Sequence, residues 1–331
     1  MAKEKLLEVN HLRTSFFTSG GEVKSVDDVS YYVDKEEIIG VVGESGSGKS
    51  VTQLSVMRLI PNPGRILGGD IRFDGQDLLS YDADSAEMRA VRGSQISMIF
   101  QEPMTSLNPV FTVGNQLTEI IRVHLKLSKR DAWNRAVQML AAVGIPDPER
   151  RMKDYPFQMS GGMRQRVMIA MAISCNAKLI IADEPTTALD ATIQAQVMEL
   201  LVSLVKNNRT SLVVVTHNLG LIARYAQRIY VMYAGKIIES GTTEDILSAP
   251  RHPYTKGLLR SVPRLDTERN ERLIPIEGMP PNLAQLPETC AFLPRCPFAT
   301  DQCRSRAVPA LKCVGPHEHF SACHLTDEEV E

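Results

Sequence analysis

Residues 38–50 constrain the fold more than any other stretch. Ile38-Ile39-Gly40-Val41-Val42 is a short continuous apolar run, the pattern of a strand buried on both faces. It passes directly into Gly43-Glu44-Ser45-Gly46-Ser47-Gly48-Lys49-Ser50, which fits G-x-x-x-x-G-K-[ST]. A helical pattern from Ser50 to about Ile60 follows. Strand, glycine-rich loop and helix N-terminus in that order make an anion cradle. The glycines let backbone N–H groups of Gly43, Ser45, Gly46, Ser47 and Gly48 turn toward phosphate oxygens. Lys49 adds a charge on the β/γ-phosphates, Ser50 offers a hydroxyl to Mg²⁺, and the helix adds its positive end. The chemistry expected of this segment is binding of a nucleoside triphosphate with its metal.

Such a loop needs a carboxylate on the metal side. Leu179-Ile180-Ile181-Ala182 is a second buried-strand pattern and ends in Asp183-Glu184. Asp183 is placed to reach the Mg²⁺ shell, and Glu184 to orient or deprotonate an attacking water. Leu212–Val215 is a third such run, ending in Thr216-His217. Helical spacing is predicted over Val113–Leu127, Arg130–Val143, Met163–Ser174 and Thr192–Lys206. Residues 5–42 read as β-rich, and Ile229–Glu239 as a hairpin around Ala234-Gly235. With 37 Lys+Arg against 39 Asp+Glu, the formal net charge is −2, which argues against a nucleic-acid binder working by bulk electrostatics. No apolar run approaches the ~20 residues of a membrane span, and the N-terminus lacks a signal core, so the expected location is cytoplasmic.

Ser160-Gly161-Gly162-Met163-Arg164-Gln165-Arg166 stands 18 residues ahead of Lys178-Leu179-Ile180-Ile181-Ala182-Asp183-Glu184-Pro185. This arrangement resembles the signature and Walker B of ABC-transporter ATPases. Ala188-Leu189-Asp190 is similar to that family's D-loop, His217 to its switch histidine, and Gln101 to its Q-loop glutamine, over residues 5–250. The resemblance implies an α/β fold: a P-loop ABC-type nucleotide-binding domain, RecA-like with antiparallel β and helical subdomains. It also implies ATP and Mg²⁺ as ligands, with Ser50, Gln101 and Asp183 toward the metal. Glu184 and His217 take catalytic roles. The signature of one subunit faces the P-loop of another, so Ser160, Gly161 and Gly162 grip the γ-phosphate from across a dimer. The family's L-S-G-G-Q is Met159-Ser160-Gly161-Gly162-Met163 here, without the terminal amide. An aromatic platform for adenine is expected upstream, with Phe16 fitting the spacing better than Phe17.

Gln101 continues as Glu102-Pro103-Met104-Thr105-Ser106-Leu107-Asn108-Pro109, an extended loop that resembles dipeptide and oligopeptide importer ATPases. Arg251–Leu259 and Cys290–Pro297 match the C-terminal extension of the same subunits. The resemblance implies an ATP-hydrolysing motor at the cytoplasmic face of the membrane. Its partners are a second, related ATPase in a heterodimer, two permeases and an extracytoplasmic peptide-binding protein. An importer motor for another solute such as a metal complex, a soluble non-transport ABC ATPase and an iron–sulfur redox protein are the alternatives. The expected division is an ATPase domain over 1–250, with a helical subdomain at about 101–165, and an extension over 251–331.

Cys290, Cys296, Cys303, Cys313 and Cys323 fall in a proline-rich segment with little apolar residue to bury. In a reducing compartment such a cluster is expected to bind metal rather than form disulfides. There is no C-x2-C pair, which weakens a zinc-ribbon reading. The family resemblance implies a [4Fe–4S] cluster held by Cys290, Cys296, Cys303 and Cys323, with Cys313 extra; zinc, or no metal, stays open. The extension is thus expected to be a small loop-rich metal domain.

Overall fold

The computed structural model describes residues 4–101, 106–186, 190–261, 275–315 and 317–325. Its strands in chain order are β1 (Lys5–Thr18), β2 (Gly21–Asp34), β3 (Ile38–Val42), β4 (Gly64–Phe73), β5 (Gln76–Asp77), β6 (Ile96–Ile99), β7 (Leu179–Asp183), β8 (Ser211–Thr216), β9 (Arg228–Tyr233), β10 (Lys236–Thr242), β11 (Lys312–Gly315) and β12 (His319–Ser321). The chain forms two compact units, one of Asp34–Glu37 with Ser80–Val215, the other of Glu4–Val33, Ile38–Leu79 and the chain from Thr216 onward.

In the first unit β6, β7 and β8 run parallel, with Ile96 opposite Leu179 and Asp183 opposite Val215. Every residue of β7 and β8 is buried, which explains the unbroken apolar runs of the sequence. The helices Val113–Leu125, Lys129–Ala142 and Gly161–Ile173 begin at Thr112, Ser128 and Ser160. Each of these side chains accepts a hydrogen bond from a first-turn N–H, the usual means of satisfying an orphan donor. The helices fall where the periodicity places them.

The second unit holds an antiparallel sheet in the order β2-β1-β4-β5. In it, Leu7 stands opposite Phe73 and Phe16 opposite Gly64. It also holds strands in the order β3-β9-β10-β12-β11. β3 runs parallel to β9, and β9 turns into β10 through Ala234 and Gly235 in left-handed conformation. β12 then pairs with β10, setting Ser321 opposite Glu239. The C-terminal extension therefore supplies strands to the sheet that contains β3. Each fully buried Ile or Val of β3 contributes about 1.5–3 kcal/mol.

The helix Lys49–Val56 is shorter than its sequence pattern predicts. It stops because Arg58 adopts φ +55°, and Pro61 and Pro63 cannot continue a helix. Two buried polar contacts moor it to the antiparallel sheet. The Tyr31 hydroxyl donates to Gln53 Oε1 at 3.0 Å, and the Thr14 and Ser55 hydroxyls meet at 2.8 Å.

Candidate nucleotide site and thiol pocket

The loop Gly43–Ser50 lies between β3 and that moored helix, as expected. Gly43 (φ +155°) and Gly48 (φ +101°) are demanded by geometry as well as conformation. A Cβ on Gly43 would stand 2.2 Å from the Met232 carbonyl oxygen, and one on Gly48 2.2 Å from that of Ser25. Ser45 and Gly46 form the exposed rim, and Gly46 has open space where a Cβ would be. The Gly235 N–H donates to the Ser47 carbonyl at 3.0 Å, so the β9–β10 turn braces the loop. Lys49 is buried, and its Nζ donates to the carbonyls of Gly43 (2.8 Å) and Glu44 (2.9 Å). Ser50 follows on the first turn of the helix, half-buried.

The same unit carries His217, exposed just beyond β8, and Phe16 and Phe17 at the end of β1. Phe16 is half-buried, with its ring edge against Gly64. Phe17 is more exposed, with the Arg65 guanidinium 5.9 Å from its ring centre.

In the other unit, Asp183 is buried at the end of β7. Glu184 takes φ +46°, a strained conformation for a residue with a Cβ, and its N–H donates to the Val215 carbonyl at 2.9 Å. Its carboxylate accepts a hydrogen bond from Gln101 Nε2 at 3.1 Å. The structure thus joins two residues 83 positions apart that the sequence singled out separately. Ser160 caps its helix by accepting from the Met163 N–H at 3.3 Å, with Gly161 exposed in the first turn. A Cβ on Gly162 would meet only Ile193 Cγ2, at an ordinary 3.7 Å. Packing among the described residues therefore does not require that glycine. Asp190 caps the helix Ala191–Asn207, accepting from the Ile193 N–H at 3.0 Å. Glu102–Thr105 of the extended loop and Ala188-Leu189 lie outside the described residues.

Cys290, Cys296, Cys303 and Cys323 line one small pocket with Phe292, Leu293 and Pro309. Cys313 stands apart, exposed on β11, its Sγ 3.4 Å from the Gly315 carbonyl oxygen. Burial pushes the Cys290 and Cys323 thiols up and takes Cys296 to about 11, and neighbouring thiols add to the rise. A thiol raised in this way must still lose its proton before it can ligate a metal. Among the described residues, however, no group of three or more His, Cys, Asp or Glu is placed to hold a metal ion. The expected metal domain is therefore not confirmed: the sulfurs share a pocket without converging as ligands of one ion.

One feature of the phosphate loop escaped the sequence. Glu44 is held by Arg295, whose Nη1 and Nη2 donate to its two carboxylate oxygens at 2.6 and 2.9 Å. The signal available was the carboxylate itself, an anion inside an anion-binding loop, which needs a counter-charge.

Two family models match. One, described as ABC transporter, covers residues 26–187; the other, described as oligopeptide/dipeptide transporter, C-terminal region, covers 238–303. The chain is 51% identical over 332 aligned residues to a putative peptide import ATP-binding protein of Brucella melitensis, covering 98% of both chains. It is 50% identical to the oligopeptide transport ATP-binding protein OppD of Bacillus subtilis, covering 95% of this chain and 87% of that one. Among solved structures, the ATP-binding cassette MJ0796, a dimer in a post-hydrolysis state with ADP and Pi, matches with TM-score 0.64 at 26% identity. That match covers 72% of this chain and 98% of MJ0796. With the phosphate loop, the strand-end acids and the C-terminal region all in place, the chain belongs to the ABC-transporter ATP-binding subunits of the oligopeptide/dipeptide type.

Proposed function

We infer that the chain is the ATP-hydrolysing subunit of a peptide importer. The observation that carries this reading is the phosphate loop, with Lys49 folded over its carbonyls, in a chain whose extension matches the oligopeptide/dipeptide region. Lys49 and the backbone of Gly43–Gly48 bind the phosphates of ATP. Ser50, Gln101 and Asp183 are the residues that would hold Mg²⁺, which supplies charge neutralisation on the β- and γ-oxygens. Glu184 takes a proton from the attacking water, and its hydrogen bond with Gln101 keeps its carboxylate oriented. His217 is the second polar group assigned to the γ-phosphate, and Phe16 the adenine platform.

Ser160, Gly161, Gly162 and Asp190 serve the partner's ATP across a dimer. The exposed, capped helix N-terminus at Ser160 supports this role, because it presents dipole and N–H groups outward. The partner is a second, related ATPase, and the pair works on two permeases fed by an extracytoplasmic peptide-binding protein. Among the described residues no helix is long and apolar enough to cross a membrane. The subunit is placed at the cytoplasmic face through those permeases. The four-thiol pocket is assigned a [4Fe–4S] cluster held by Cys290, Cys296, Cys303 and Cys323. The support for it is that the four cysteines line one pocket, and a cluster of this kind would be held by four thiolates. Its contribution is a structural staple in a segment poor in apolar residues. The domain division at about residue 250 stays part of the same reading.

The test is reconstitution with the permeases in proteoliposomes. Peptide uptake should require ATP and the binding protein, and Lys49→Ala should abolish both nucleotide binding and uptake. Uptake that continues in Lys49→Ala, or ATPase activity of an isolated monomer independent of its concentration, would overturn the mechanism.

A further inference from the structure

Glu44 is the second residue of the phosphate loop, so it brings a negative charge into a segment read as binding a polyanion. The Arg295 guanidinium meets it as a two-pronged fork at 2.6 and 2.9 Å, with the Arg295 side chain only 4% exposed. The fork is itself fixed on every side. Its Nε donates to the Glu277 carbonyl at 3.0 Å, Nη2 reaches the Ile276 carbonyl at 3.4 Å, and Nη1 the Tyr233 hydroxyl at 3.3 Å. The Tyr233 and Phe292 rings stand 5.8 and 5.9 Å from the guanidinium carbon. From the neighbouring helix, the Tyr254 hydroxyl accepts a hydrogen bond from the Glu44 N–H at 2.8 Å. A planar, pre-organised donor set of this kind loses little freedom on pairing and cannot be imitated by a flexible lysine.

We propose that Arg295 is a positioning residue for the nucleotide site: it neutralises Glu44 and locks its orientation, so that the C-terminal extension sets the ATP affinity of the phosphate loop. The proposal rests on the reading of Gly43–Ser50 as the ATP phosphate loop. Its electrostatic content has a sign. Removing the guanidinium leaves an uncompensated negative charge at the loop and weakens ATP. Removing the carboxylate leaves an uncompensated positive charge and strengthens it. An uncompensated unit charge roughly 10 Å from a phosphate, at an effective dielectric of about 20, changes affinity about tenfold. A role in packing alone predicts loss in both variants.

The experiment is equilibrium titration of the full-length chain with the magnesium complex of a non-hydrolysable ATP analogue, at low and high salt. Arg295→Met should bind about tenfold more weakly, with the deficit shrinking as salt screens the bare carboxylate. Glu44→Gln should bind about tenfold more tightly than wild type, with the gain shrinking at high salt. The double variant Glu44→Gln/Arg295→Met should return to within about twofold of wild type, because neither charge is left over. Arg295→Lys, which keeps the charge and loses the fork, should fall between wild type and Arg295→Met. Arg295→Met binding as tightly as wild type would overturn the proposal. So would a double variant as weak as Arg295→Met. A Lys49→Ala control that binds like wild type would instead bring down the reading of the loop itself.

Discussion

Glu239 offers the strongest test of how the extension is joined to the ATPase sheet. It lies on β10 and is fully buried. Its Oε1 accepts from the Arg251 N–H at 2.6 Å and faces His319 Nε2 at 2.9 Å; its Oε2 accepts from the His252 N–H at 2.9 Å. One carboxylate thus fastens the lead-in to the helix Pro253–Arg260 and the terminal strand β12. Glu239→Ala leaves three partners, two buried and the Arg251 N–H part-buried, without their acceptor. At about 1–3 kcal/mol for each orphaned group, and with some water entering the space, the net cost is about 3–5 kcal/mol. Glu239→Gln is expected to rescue little. The amide has one oxygen, and its NH₂ must then face an N–H donor. Urea unfolding should show the effect directly. With a slope near 3 kcal/mol/M, the upper end for small proteins, the midpoint of the alanine variant drops by about 1–1.7 M. His319→Ala, which removes one partner and keeps the helix contacts, should lose less than half as much. A glutamine variant as stable as wild type would refute the reasoning, because three simultaneous accepted bonds would then not be needed.

Glu184→Gln should keep ATP binding and the contact with Gln101 but slow hydrolysis by about 10²–10⁴, measured as phosphate release from the assembled transporter. Gly48→Ala should weaken nucleotide binding about tenfold or more in an equilibrium titration. The new methyl meets a backbone oxygen that no rotamer change can move, and a left-handed alanine costs about 1–2 kcal/mol besides. Anaerobically purified protein should carry about four irons per chain if the thiol pocket holds its cluster. Cys323→Ser should then lose the iron while Cys313→Ser retains it, and elemental analysis that finds zinc without iron would end that assignment.

What could be read from the sequence was local. The strands β3, β7 and β8 announce themselves because burial on both faces leaves unbroken apolar runs, and the phosphate loop because its glycines are spaced by the curl they make. The roles of Ser160, Asp190, Gln101 and His217 rested on resemblance to a family, since a cap, a strand-end histidine or a lone glutamine has no periodicity of its own. The contacts that tie the extension to the loop were out of reach. Glu44 and Arg295 are 251 residues apart, and Glu239 and His319 are 80 apart. Pairing at such separations is decided by how the sheet is ordered, which no window of sequence contains. β12 is only three residues long, too short for alternation to reveal a strand. The extension therefore read as loops beside the ATPase when it contributes strands to the same sheet.

That placement changes how the extension acts. Tyr233 at the end of β9 has its ring centre 4.6 Å from that of Tyr254 and 5.3 Å from that of Phe292, so one aromatic cluster is built from the ATPase hairpin and the chain after Pro250. Each such ring buries on the order of 150–250 Å², which makes the cluster a core rather than a surface contact. Two of its members also touch the nucleotide loop's support: the Tyr254 hydroxyl holds the Glu44 N–H, and Tyr233 helps fix Arg295. The turn that presents Arg295, Leu293–Arg295, is closed by Cys296 of the thiol pocket. Loop, counter-charge, aromatic core and thiols are therefore consecutive links of a single packed structure. A chain cut at residue 250 would lose the counter-charge of Glu44 together with two of the three rings of the aromatic core, so it would not be the ATPase domain with an ornament removed.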